Sequence, residues 1–200
     1  MKKLFIFFII ITTTAFAGCL DSPISTRVGI RTGLTISNYD PDSSVSSDEY
    51  SGTGMLLGLG MGSDFFSILA IDMTPQYRST SHARDEILGR RTYSYNNLYF
   101  PITLSLKGGM IPFVSPYVSV GIGINVPLSG IERFEYNNGT AIENEIGGSV
   151  GGFAILGVGA EVKLLKFRIV PEFMANMQGY DDQTVKTTDY HLSIGFYYAP

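Results

Sequence analysis

One cysteine, two histidines and no tryptophan occur in 200 residues. Such scarcity excludes a disulfide scaffold and a multi-cysteine zinc site. Charged residues make up only 16%, well under the usual quarter, which argues against a disordered chain or a coiled coil. Basic residues are outnumbered, 14 Lys plus Arg against 18 Asp plus Glu. With a net charge of −4 and an isoelectric point near 5.1, the chain lacks the electrostatic footprint of a nucleic-acid binder. Beyond the N-terminus no stretch approaches ~18 consecutive apolar residues, so no spanning helix is expected. What is plentiful points elsewhere: 23 Gly, 13 Phe and 12 Tyr suit a β-rich chain with close backbone approaches.

Met1-Lys2-Lys3, an apolar run from Leu4 to Ile11 and the A-x-A pattern Ala15-Phe16-Ala17 predict a secretory signal peptide over residues 1–17. Phe16-Ala17-Gly18-Cys19 also resembles a bacterial lipobox. In that alternative the leader ends at Gly18, and Cys19 is lipidated as the first mature residue. Either route takes the chain out of the cytoplasm, and a lone cysteine fits an oxidising compartment.

The dominant pattern over residues 24–198 has period two. Ile24, Thr26, Val28, Ile30, Thr32, Leu34 and Ile36 alternate with Ser25, Arg27, Gly29, Arg31, Gly33, Thr35 and Ser37. Val118, Val120, Ile122, Ile124, Val126 and Leu128 alternate with Tyr117, Ser119, Gly121, Gly123, Asn125 and Pro127. A strand places such sets on opposite faces. Weaker versions begin near Met55, Leu69, Leu98, Ala154, Phe167 and Tyr190, which makes eight strands. Their connections alternate too. Long polar stretches (38–53, 79–92, 129–149, 178–188) exchange with tight links at Ser63–Phe66, Lys107–Ser115 and Leu164–Leu165.

This wiring predicts an all-β fold, an eight-stranded antiparallel up-and-down transmembrane β-barrel. The polar set is rich in glycine and arginine, while the other set is a near-continuous band of Ile, Val and Leu. An eight-stranded barrel is only wide enough inside for side chains. Small and polar residues therefore belong in the lumen, and the apolar band belongs against lipid. A secreted soluble barrel is the rival, and its interior would need bulky apolar side chains. Pro101, Pro127 and Pro171 fall within strands and predict bulges or strand ends. Leu56 and Val170 face inward by parity.

Leu98-Tyr99-Phe100-Pro101-Ile102-Thr103-Leu104-Ser105-Leu106-Lys107 resembles the L-x-x-P-L-L-L-K strand of a small outer-membrane β-barrel family, the PorT-like or "porin family" proteins. Pro116 to Asn125 is similar to that family's following P-Y-V-G-x-G-x-G-x-N strand. The last strand, with Tyr198 ahead of Ala199-Pro200, resembles the C-terminal signal read by the barrel-assembly machinery. The resemblance implies residence in the bacterial outer membrane. Expected partners are outer-membrane lipid and lipopolysaccharide, and the assembly machinery during biogenesis. A monomer and no cofactor are expected.

The inward polar set holds Arg27, Arg31, Asp72, Lys107, Glu161, Arg168, Glu172, Asp189 and His191. Glu161 and Arg168 fall opposite each other if Leu164-Leu165 forms a two-residue turn. Charges of both signs in a low-dielectric wall should pair, because an unpaired buried charge costs several kcal/mol. They then form a plug of structural ion pairs; a selective passage is the alternative. Asp189, His191 and Ser193 lie in one row, and the His-x-Ser pair resembles that of outer-membrane lipid A deacylases. That family's neighbouring asparagine and downstream glutamate are missing, and the row faces the lumen. The Gly-x-Gly runs sit inside strands rather than at strand-to-helix turns, which fits tight curvature better than nucleotide binding. His82 falls in a polar stretch without a metal-ligating companion, so a solvated histidine is expected and no metal site. The long stretches carry acids (Asp40, Asp42, Asp48, Glu49; Glu132, Glu135, Glu143, Glu145; Asp181, Asp182) beside Arg84, Arg90 and Arg91. These suit solvated loops, lipopolysaccharide contact or a binding surface. The leading expectation is a non-enzymatic envelope protein with a structural or surface-interaction role. A narrow pore and a lipid-modifying enzyme are the alternatives.

Overall fold

The structure, a computed structural model, describes residues 24–40, 50–65, 68–108, 113–179 and 186–200. Cys19, the leader and the acids Asp42, Asp48, Glu49, Asp181 and Asp182 lie outside the described residues. Ten antiparallel strand segments follow one another: β1 (Ile24–Asp40), β2 (Tyr50–Phe65), β3 (Leu69–Met73), β4 (Gln76–Glu86), β5 (Gly89–Lys107), β6 (Val114–Tyr136), β7 (Ala141–Glu145), β8 (Gly151–Leu164), β9 (Phe167–Gly179) and β10 (Lys186–Tyr198).

These ten make eight staves. β3 and β4 both pair with β2 on one side and β5 on the other, and the register is unbroken across Thr74-Pro75. They are two halves of one stave. Pro75 has no N–H to give, so the ladder lapses there, but Pro75 O still accepts from Leu59 N at 2.9 Å and Pro101 O from Thr74 N at 3.2 Å. β7 is an extra segment folded back on the far end of β6. Each remaining stave pairs with its sequence neighbours, and β1 pairs with β10, closing the sheet on itself. Closure satisfies the main-chain groups of both termini strands and leaves no edge within the ring.

The two faces sort as the period-two reading expects. Ile30 and Ile122 are 53% and 70% exposed on the outside, while Arg31 is 5% exposed on the inside. Glycines let this small ring close. A Cβ on Gly29 would come 2.0 Å from Phe196 O, so the β1–β10 backbones approach closer than any side chain permits. Over Gly60 lies the Tyr197 ring, which a Cβ there would meet at 2.4 Å. Glycine and inward aromatic thus fill one another's space.

Several connections differ from the sequence expectation. The stretch 79–92 is not a loop: β4 runs to Glu86, β5 starts at Gly89, and Ile87-Leu88 form the turn. Much of 129–149 is likewise strand, in β6 and β7. Polar residues occupy both faces here because outward positions above Tyr77, such as Ser79 and Ser81, have passed the apolar band. Alternation of hydropathy disappears although the pleat continues. At the opposite end the turn after β8 is Leu165-Lys166 rather than Leu164-Leu165, with Leu165 at φ 56° and Leu164 paired to Phe167.

The prolines behave in three ways. Pro101 sits in an unbroken β5–β6 register opposite Gly123. The β8–β9 ladder skips from Gly159–Glu172 to Val162–Ile169 around Pro171. Next to Pro127, Asn97 pairs with Pro127 but Asn96 with Ser129, leaving Leu128 as a one-residue bulge. Below Leu128 the odd residues of β6 face inward; above it the even ones do. This reversal turns Glu132, Phe134 and Tyr136 to the inner face of the sheet that β4–β7 extend beyond the ring.

Candidate functional site

Climbing β1 along the lumen, Arg27, Arg31 and then Thr35 with Ser37 mark three tiers. In the first, the turn-end tier, Glu161 is fully buried. Its carboxylate accepts from Arg27 Nη1 and Lys107 Nζ, each at 2.5 Å, and from Arg168 Nη1 at 2.9 Å. Arg27 also holds Asp72 at 2.6 Å, and Lys107 holds Asp64 Oδ1 at 2.7 Å. Arg168 closes the ring of charges on Asp64. Three cations face three carboxylates.

The second tier is the Arg31–Glu172 pair at 2.7 Å. Beside it Tyr117, Val170 and Tyr197 pack as an apolar cluster, which accounts for inward Val170. In the third tier Arg78 donates to Asp189 Oδ2 at 2.6 Å and lies 4.0 Å over the Tyr99 ring. Ser37 Oγ donates to the same Asp189 carboxylate. Tyr99, Phe153, Ile155 and Met174 form the apolar lining there.

Across the tiers, the described residues place five cations (Arg27, Arg31, Arg78, Lys107, Arg168) against five carboxylates (Asp64, Asp72, Glu161, Glu172, Asp189). Each of these ten charges has a partner of opposite sign. Arg168 and Glu161 are brought together, but not as directly opposed residues. The shifted turn pairs Lys163 with Arg168 in register, and Arg168 reaches Glu161 diagonally.

Sequence reasoning missed Arg78 and Asp64. Arg78 continues the inward parity of Asp72, Thr74 and Gln76, past the end of the apolar alternation that begins at Leu69. Asp64 keeps the inward parity of Gly62 and was absorbed into a supposed turn. His82 also departs from expectation. It lies in β4, is 6% exposed and stands edge-on to Tyr95 at 6.2 Å, and among the described residues neither ring nitrogen has a hydrogen-bond partner. Burial pushes its imidazole below the usual range, with Asp189 opposing and Arg78 reinforcing that shift.

The row Asp189, His191, Ser193 does not assemble into a nucleophile and base. His191 Nδ1 is taken by Thr35 at 2.9 Å and Nε2 by Asn176 at 2.8 Å. Among the described residues Ser193 Oγ has no hydrogen-bond partner. Among the described residues, no group of three or more His, Cys, Asp or Glu is arranged to hold a metal ion.

At the loop end, the inner face of the β4–β7 extension is stitched by Arg91, which holds Glu86 at 2.8 Å and Glu132 at 2.7 Å and lies 5.2 Å from the Phe134 ring. Its outer face is a polar ladder: Tyr77 Oη donates to Asn96 at 2.6 Å, and Asn96 donates to Ser129 at 3.0 Å.

A family model described as outer membrane protein beta-barrel domain matches residues 4–199. No curated protein matches the chain. Among solved structures, the chain is similar to Ail, the attachment invasion locus protein of Yersinia pestis, in complex with the heparin analogue sucrose octasulfate. Identity is 15%, TM-score 0.40, with 86% of this chain and 99% of that one covered. Neisserial surface protein A is similar at 10% identity and TM-score 0.48, covering 86% and 96%. OprG from Pseudomonas aeruginosa is similar at 12% identity and TM-score 0.41, covering 88% and 95%.

Proposed function

The chain belongs to the outer membrane protein beta-barrel domain family and resides in the bacterial outer membrane, and from that premise we propose that it is a sealed, non-enzymatic barrel whose task is at the cell surface. One observation carries this reading: among the described residues the lumen charges are paired in three tiers, five cations against five carboxylates. A narrow pore would need unpaired groups along a continuous opening. The barrel serves as a rigid stake. Its short-turn end and both termini face the periplasm, and the β4–β7 extension stands in the external medium. The Tyr77–Asn96–Ser129 ladder lies at the rim of the apolar band, where it meets lipopolysaccharide headgroups. Biogenesis uses the barrel-assembly machinery, and the protein acts as a monomer.

Planar-bilayer recording tests the proposal. The unmodified protein is expected to give no stable open current. Arg31→Ala with Arg168→Ala should lower the temperature of unfolding markedly while raising conductance little. Large steady currents from the unmodified chain would defeat the sealed-barrel reading.

A further inference from the structure

β7 is the outermost strand of the extension. Among the described residues it pairs only with β6, and all five of its residues are exposed. Its ladder with β6 is fixed by Tyr136 N donating to Thr140 O at 2.8 Å and Ile146 N donating to Gly130 O at 2.9 Å. In an antiparallel pair every second residue bonds across. Thr140, Ile142, Asn144 and Ile146 therefore bond to β6, and the N–H and C=O groups of Ala141, Glu143 and Glu145 point away from the sheet. Natural edges are normally blunted by shortness, charged side chains, proline or a bulge. β7, Ala-Ile-Glu-Asn-Glu, is short and carries the charges of Glu143 and Glu145, which repel acidic strands and admit basic ones, and it has no proline or bulge.

The side chains state what the edge accepts. Glu143 and Glu145 stand on the outer face with Glu135. Arg133 lies 3.6 Å from both Glu135 and Glu143, and Arg90 stands opposite Glu135 in the β5–β6 register. Among the described residues Glu145 has no ion pair. The inner face of the same strand shows Ile142, 48% exposed, paired in register with Phe134. We infer that the free edge of β7 is a strand-addition site for an extended peptide segment in which basic and apolar residues alternate. Main-chain bonds to Ala141, Glu143 and Glu145 supply attachment, cations at every second position meet the carboxylates, and the apolar residues between them cover Ile142. A second copy of this edge is the wrong occupant, because pairing it with itself sets glutamate against glutamate. The inference rests on the surface role proposed above and names its partner.

The test uses the full chain folded in detergent micelles, with dye-labelled Lys-Val-Lys-Val-Lys and Glu-Val-Glu-Val-Glu peptides followed by fluorescence anisotropy. The basic peptide is expected to bind and the acidic one not. N-methylation of the basic peptide at alternate residues removes its donors while the protein stays unaltered, and should weaken binding about tenfold. Glu143→Lys with Glu145→Lys should exchange the preference. Amide exchange by NMR gives the direct readout: Ala141, Glu143 and Glu145 should become protected on adding the peptide, with Ile142 and Asn144 protected beforehand. Binding that ignores N-methylation would make the contact purely ionic and overturn strand addition. Equal binding of both peptides, or of neither, would overturn it too, as would protection of the same three amides by self-association without peptide. None of these results bears on conductance, so the sealed-barrel reading stands or falls separately.

Discussion

Glu161 shows how a buried carboxylate earns its place: it bonds Arg27, Lys107 and Arg168 simultaneously. Removing one member of a buried network leaves its partners charged and dry. Glu161→Ala is expected to lower stability by about 3–5 kcal/mol, against under about 0.5 kcal/mol for exposed Glu143→Ala. The temperature at which folded gel mobility is lost on heating measures both. His82 gives a pH signature. Its imidazole is lowered by burial, so the fold favours the neutral ring. The associated stability is fully present above the ordinary value of 6.5 and declines as pH falls from there toward the depressed one. Amide protection in the β4–β5 hairpin, corrected for the intrinsic exchange rate at each pH, should therefore decrease between pH 7.5 and 5.5, and His82→Gln should flatten that dependence. An unchanged slope in the variant would show that other groups govern it. Inward positions such as Arg27, Arg31 and Glu172 were legible from parity alone, since each stands beside an outward Val, Ile or Phe. Their individual partners were not, because pairing across the lumen depends on the stagger of the staves.

At the scale of the strand, glycine is where neighbouring elements exchange volume. Gly60→Ala drives a methyl into the Tyr197 ring, whereas Gly29→Ala drives one into the backbone of β10. Each should cost about 1–3 kcal/mol by overpacking. Tyr197→Ala in the same chain should recover part of the loss for Gly60→Ala and none for Gly29→Ala, since only the first obstacle is a side chain. Thermal midpoints of the two double variants decide it. The Leu165-Lys166 turn holds leucine at φ 56°, a conformation glycine adopts freely. Leu165→Gly should therefore stabilise the β8–β9 hairpin by about 1 kcal/mol, read in the same melting assay. The eight staves were visible in the sequence wherever one face met lipid. They faded at Ser79–Glu86 and Ser129–Tyr136, where water lies on the outside and the hydropathy contrast vanishes.

For the molecule as a whole, the apolar exterior and the balanced interior are one arrangement, inverted relative to a soluble domain. A band containing Ile30, Leu57, Ile122, Val158 and Leu192, all strongly exposed, has no solvent but acyl chains. Washed membranes should retain the protein after carbonate or urea extraction, and release into the supernatant would contradict the orientation. The membrane-facing orientation was legible from which face is greasy, and the family from the resemblance of Leu98–Lys107 and Pro116–Asn125 to its strands. The protruding sheet was not, because its strands are polar on both sides. That sheet depends on Leu128, the single unpaired residue where β6 changes parity. Excising it would present Phe134 and Tyr136 to the medium and swing Arg133 over the barrel mouth. Insertions and deletions between Leu128 and the hairpin tip are therefore tolerable only in steps of two, so this segment can lengthen over generations only in a coarse, even-numbered way.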